Sequence, residues 1–156
     1  MTDAEYEAQK ARVRALIERW VAPLGLGWWQ ITFEFERDSG QFKVDGVPSL
    51  KTVGCTGADW RYLSATIGWN VSRLPEFDDD KLEAVFVHEL MHIFLNEFRA
   101  LIEDGEKLGT NLRDDWLAHE EHTATVLSKA FIWVRDFAQK GEPPALSHAE
   151  AAPGKS

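Results

Sequence analysis

Residues 84–98 read AVFVHELMHIFLNEF, a strongly apolar run with two imidazoles and a carboxylate near its middle. A run this apolar has to be buried, and buried polar groups are costly unless something satisfies them. His88, Glu89 and His92 therefore need partners, and the segment has few of its own to give them. Their spacing, His88-Glu89-Leu90-Met91-His92, is H-E-x-x-H. On a helix, residues i and i+4 lie on one face about a turn apart. Both imidazoles can then reach a single Zn²⁺ at about 2.0–2.1 Å. Glu89 sits at the rim of that face, where it can take a proton from a metal-activated water. A metal so placed lowers the water's pKa and polarises a substrate carbonyl, which gives nucleophile, base and electrophile for amide hydrolysis.

The rest of the chain reads as a frame for this helix. Thr2-Asp3-Ala4-Glu5 is a capping box, followed by Val13, Leu16, Ile17 and Trp20 at helical spacing. A first helix is expected to end near Trp20, before Pro23 and Gly25. In WWQITFEFE, Trp29, Ile31, Phe33 and Phe35 alternate with polar residues, as in a half-buried strand. Residues 38–61 are rich in Gly, Asp and Ser, with a tight turn expected at Asp45-Gly46 and a short strand near Lys51–Cys55. RYLSATIGWNV is a second clear strand. Leu63, Ala65, Ile67, Trp69 and Val71 should face the core, and Tyr62, Ser64, Thr66 and Asn70 the other side. The acidic cluster Asp78–Asp80 favours the start of the H-E-x-x-H helix, expected to reach about Ala100. After a loop at 102–111, a long helix is expected from about Leu112 to Gln139. The order helix, small mainly antiparallel sheet, helix, helix gives an α+β fold in one domain over residues 1–140. Residues 141–156, small, polar and proline-bearing, read as a disordered tail.

Charge and cysteine usage narrow the setting. Seventeen Lys and Arg against 26 Asp and Glu leave a net charge of −9, and no basic run is present to neutralise phosphates. Nucleic acid is therefore not an expected partner. No apolar run has the length of a membrane span, and the charged start is not a signal peptide. The single cysteine, Cys55, cannot form an internal disulfide, which suits a cytoplasmic protein.

A catalytic zinc site takes three protein ligands and leaves the fourth position for water. The extended motif H-E-x-x-H-x-x-G-x-x-H is absent, because Leu95 and Phe98 stand where its glycine and third histidine would be. No histidine follows until HEEHTATVLSKAF, residues 119–131, which holds His119, Glu120, Glu121 and His122. On a helical wheel Glu120 falls within the apolar stripe Leu117, Ala124, Leu127 and Phe131, and Glu121 at its edge. Either carboxylate can serve as third ligand on this pattern, and the edge position better suits reaching across a water-filled cleft.

Four stretches carry a family likeness: LGLGWWQITFEFE, YLSATIGWN, LEAVFVHELMH and EEHTATVLSKAF, spanning roughly residues 24–135. The chain resembles small gluzincin-type zinc metallopeptidases, closest to the compact phage- and prophage-encoded ones and more distantly the ImmA/IrrE-type peptidases. The resemblance implies a minimal zincin domain with one Zn²⁺ and a peptide or protein substrate. It also implies a glutamate ligand within E-x-x-A-[N/T]-x-[F/L]-[A/S]; Glu121, Ala124, Thr125, Leu127 and Ser128 match that spacing. His88, His92 and Glu121 are then the expected metal ligands and Glu89 the catalytic residue. Thr125 stands where the family commonly has Asn, so a hydrogen bond to a ligand histidine depends on its shorter side chain.

Other residues have plainer readings beside functional ones. Arg99, on the face of His92, can pair with Glu120 or a substrate carboxylate, or simply meet the helix dipole. Tyr62 can donate to an oxyanion, though a solvent-side strand tyrosine is the commoner case. The polar side of RYLSATIGWN can pair with an extended peptide. Trp20, Trp29 and Trp69 fall at core positions; Trp28, Trp60 and Trp116 are undecided. Two rival functions stand beside the peptidase. One is a zinc-bearing scaffold that cleaves nothing; the other is a DNA-linked protease of the SprT kind, against which the acidic balance and the missing downstream histidine both count.

Overall fold

The computed structural model describes residues 1–44, 46–103 and 110–140. Helix α1 (Asp3–Trp20) begins at the expected capping box. Thr2 Oγ1 accepts from the Glu5 backbone at 3.3 Å, and a Glu5 carboxylate oxygen accepts from the Thr2 backbone at 2.7 Å. Strand β1 (Gln30–Glu36) follows a short 3-10 turn. A small hairpin, β2 (Lys43–Val44) and β3 (Val47–Pro48), pairs antiparallel across the expected turn, where Gly46 takes φ +78°. Asp45 of that turn lies outside the described residues. Strand β4 (Gly54–Asp59) lies somewhat later than the strand expected near Lys51–Cys55. Strand β5 (Ser64–Asn70), a 3-10 segment at Val71–Glu76, helix α2 (Asp79–Glu103) and helix α3 (Thr110–Lys140) complete the α+β layout. The loop expected at 102–111 falls mostly outside the described residues, and the tail at 141–156 wholly so.

The main sheet has the order β1-β5-β4. β4 and β5 run antiparallel, with Gly54 opposite Trp69 and Asp59 opposite Ser64. β1 runs parallel to β5, with Gln30 opposite Ser64 and Glu36 opposite Asn70, so the sheet is mixed. Parallel neighbours need a long connection; here residues 37–63 supply it and contribute β4 on the way. β4 is left as an edge.

One contiguous core lies between this sheet and the helices. Phe86 of α2 stacks between Phe33 and Trp69, with ring centres 6.2 and 5.7 Å away. Val13, Leu16 and Trp20 of α1 join the same cluster as Ile67, Leu74, Leu90 and Met91. Each fully buried side chain of this size contributes about 1.5–3 kcal/mol. The Tyr6 hydroxyl donates to the Phe35 carbonyl at 2.9 Å, tying α1 to β1. Where α1, α2 and α3 meet, the Trp20 indole donates to buried Glu83 at 2.8 Å, Arg19 does so at 2.9 Å, and Arg135 pairs with the same carboxylate.

Two strand expectations need correction. Leu63 is not a core residue: it occupies the turn between β4 and β5 at φ +49°, 44% exposed. Asn70, expected on the polar side, is fully buried, because the chain turns there. Its amide donates to the Thr52 carbonyl at 3.3 Å and accepts from the Ser72 hydroxyl at 2.8 Å. Among the described residues, no helix is long and apolar enough to cross a membrane.

Candidate metal centre

Helix α2 is fixed by its packing. Leu82, Phe86, Val87, Leu90, Met91 and Ile93 are all essentially without solvent contact. Asp78 caps the helix by accepting from the Lys81 backbone at 2.8 Å. With those positions turned inward, His88 and His92 emerge together on the side that meets α3. Pairs at Glu83–Arg135, His88–Thr125 and His92–Glu120 show α3 running antiparallel to α2. Fully buried Ala124 lets the helices approach closely at this level.

Three donor groups converge in the seam. The Nε2 atoms of His88 and His92 are 3.1 Å apart. One Glu121 oxygen lies 3.4 Å from His88 Nε2, and the other 3.5 Å from His92 Nε2. One donor atom from each residue fits within a group no more than 4.8 Å across. Ligands on a tetrahedral ion at 2.0–2.1 Å stand about 3.3 Å from one another. The two Nε2 atoms and the Glu121 oxygen nearest each of them lie close to that spacing, and one donor atom from each residue falls within the 4.8 Å group, so His88, His92 and Glu121 can hold a metal ion.

Glu120 does something different. Its carboxylate lies behind His92, 2.9 Å from Nδ1, with a side chain only 7% exposed. That contact keeps the proton on Nδ1 and turns the Nε2 lone pair toward the group. Arg99 stands 3.8 Å from the other oxygen of Glu120, which places it in this supporting layer. Thr125 Oγ1 reaches 3.5 Å from Nδ1 of His88, the long end of a hydrogen bond, as its short side chain suggested.

The titration tendencies follow the same geometry. Burial disfavours charge on His92, but the Glu120 hydrogen bond and the neighbouring carboxylates outweigh it, and its pKa rises. The His88 hydrogen bond holds the Glu121 carboxyl below the ordinary range against partial burial, with both imidazoles adding attraction. Glu89 behaves oppositely: burial pushes its carboxyl up, more than the Thr56 hydrogen bond and the histidines pull it down.

Glu89 is seated by strand β4. The Thr56 hydroxyl lies 2.7 Å from a Glu89 carboxylate oxygen and 3.1 Å from the Glu89 carbonyl. Gly54 provides the room: a Cβ there would come within 3.1 Å of Glu89 Cγ and 3.2 Å of its Oε1. A cleft of about 910 Å³ opens over this arrangement, bounded by His88, Glu89, His92, Glu121, β4 and residues 41–44. Phe42 is buried at its wall, 3.4 Å from where a Gly68 side chain would begin.

Several candidates fall elsewhere. His119 and His122 are exposed and outside the metal group, and His119 Nδ1 is 2.7 Å from the Asp115 carbonyl. Tyr62 is 77% exposed in the turn before β5 and does not line the cleft. Cys55 lines it, with its sulfur 3.8 Å from the Lys43 carbonyl. Trp20 and Trp69 are buried and Trp29 is half-buried in the core, whereas Trp28 and Trp116 are exposed and Trp60 is half-buried. β5 has neighbours on both sides, so it has no edge for an incoming strand; the edges of this sheet are β1 and β4, and β4 is the one that seats Glu89. Thr56 and Gly54 were not singled out from sequence. Their signal was the glycine within the strand GCTGAD, which marks a close approach.

No protein-family model, no curated protein and no solved structure matches this chain.

Proposed function

We propose that this chain is a single-zinc metallopeptidase in which His88, His92 and Glu121 hold the ion and Glu89 is the general base. The observation that carries the reading is the convergence of one donor atom each from His88, His92 and Glu121 within 4.8 Å of one another, beside a buried glutamate in the same cleft. Two imidazoles and a carboxylate, with room for a fourth ligand, suit Zn²⁺, and the gluzincin-like sequence pattern points the same way. A zinc ion held there supplies a Lewis acid and brings the pKa of a coordinated water toward 7.

The chain's own residues supply the rest. Glu89 lies in the same cleft beside both histidines, where a carboxylate can accept a proton and return it. Thr56 fixes one oxygen of that carboxylate, so the group is oriented before substrate arrives. Glu120, with Arg99 behind it, keeps His92 in the ligating tautomer. The outer edge of β4, on which no other strand of the sheet lies, offers a place for an extended peptide passing through the cleft. A peptide or protein substrate also fits the acidic balance better than nucleic acid does, and the lone cysteine suits the cytoplasm.

Two measurements test this. Protein purified without chelators is analysed for metal, and wild type is compared with Glu89→Gln on a peptide library. Stoichiometric zinc with cleavage lost in the variant is expected. Equal cleavage by both proteins rejects Glu89 as base. Bound zinc with no cleavage by either leaves the non-cleaving scaffold as the reading.

A further inference from the structure

Glu121 reaches the two histidines only while α3 stays docked on α2, and that docking rests on a thin set of contacts. Among the described residues of α3, Ala124 and Ser128 are buried, and Leu127 and Ile132 pack against the core half-buried. The Ser128 hydroxyl donates to the Thr125 carbonyl, a bond internal to α3. The polar ties to α2 lie at two levels. At the first, Glu120 meets His92 and Arg99, and Thr125 meets His88. Roughly 20 Å further along the helix, Arg135 pairs with Glu83 beside a cavity of about 570 Å³, so this end is not sealed. α2 is held otherwise. Leu82, Phe86, Val87 and Leu90 have essentially no solvent contact, and Phe86 stays stacked between Phe33 and Trp69 whether or not α3 is in place.

We propose that α3 opens from α2 as a unit of its own, and that a metal ion held by His88, His92 and Glu121 is what completes its docking. The inference rests on the metal reading above and adds to it a regulation of the same site. Elements with few buried contacts open locally without unfolding the rest of a domain. Two proposed ligands stand on α2 and the third on α3, so one ion is bonded to both helices at once. Opening takes Glu121 away from the imidazoles and leaves two donors, too few to hold the ion well. The free energy of metal binding is then added to the docking of α3. Free metal at a hundred times its dissociation constant makes opening up to about a hundredfold rarer. Glu121 also borders the cleft, so the metal supply decides how often the α3 side of the cleft is in place. The ion enters and leaves by the same movement.

Hydrogen exchange of the full chain, read by mass spectrometry, tests this on protein stripped by a chelator and on the same protein reloaded with Zn²⁺. In the stripped protein, amides of α3 are expected to exchange about tenfold or more faster than those in the interior of α2. Saturating Zn²⁺ should slow α3 by about ten- to a hundredfold. Glu121→Gln keeps the shape of the side chain and removes the anionic donor, and most of that slowing should vanish with it. One common exchange rate for α2 and α3 in the stripped protein would overturn the proposal. So would bound zinc that leaves α3 exchange unchanged, or full slowing in Glu121→Gln; each of these leaves the metal reading standing. A chain that takes up no Zn²⁺ at all rejects the metal reading, and the proposal falls with it.

Discussion

The two helices that meet at the candidate metal centre are held very differently. α2 is enclosed: six of its large apolar residues have almost no solvent contact, and Phe86 is clamped between two aromatic rings. α3 rests on one side only, burying Ala124 and Ser128 and leaving Val126, Phe131, Trp133, Val134 and Phe137 open to water. The centre thus takes its two imidazoles from the part of the chain with the deepest packing. It takes Glu120 and Glu121 from a helix attached by polar contacts and one apolar face. Local opening free energies follow buried contacts, so Glu121 sits on the element that opens more easily.

The largest expected effect breaks the centre from the α2 side. His88→Ala removes one of the three proposed donors from the fixed helix, and bound metal measured by mass spectrometry should fall to background. Packing comes next. Leu90→Ala, in the core of α2, should cost about 2–5 kcal/mol in denaturant unfolding, whereas Val134→Ala on the open face of α3 should stay within about 0.5 kcal/mol. Equal losses at the two positions would erase the contrast between the helices. Glu120→Gln sharpens it differently, keeping the shape behind His92 but removing the charge. Zinc affinity measured by competition with a chelator should weaken by about 10–100-fold.

The smallest effect concerns acid. Burial opposes charge on Glu83, but hydrogen bonds from Arg135, Trp20 and Arg19 outweigh it, and its pKa is lowered in the folded chain. Its contribution to stability is therefore fully present above the unfolded carboxyl value of about 4.3. It is lost as pH falls through the lower folded value. The unfolding midpoint of wild type should drop over that window, and Glu83→Gln should flatten the drop. An identical pH profile for the two proteins would show that this three-helix junction adds nothing.

Features with a strong local signature could be read from sequence. The capping box at Thr2 and Glu5, the alternation in β1 and the acidic start of α2 each act within a few residues, and each element formed where expected. β4 was displaced because GCTGAD has little apolar alternation; the strand exists through pairing with β5 and contact with Glu89. Likewise, nothing local to β1 or β5 announces that they run parallel. In the metal centre, the wheel positions of Glu120 and Glu121 held the needed distinction. The stripe residue is buried behind His92 and the edge residue reaches the imidazole nitrogens. Which of them met both histidines depended on the crossing of two helices, a long-range property.

Strand β4 has a hydroxyl on Glu89 along its inner side, and no other strand of the sheet lies along its outer rim. A guest chain aligned on that rim would stiffen the same strand whose Thr56 and Gly54 seat Glu89. Occupancy and readiness for chemistry would then be mechanically joined, with no moving flap needed to report that the guest has arrived.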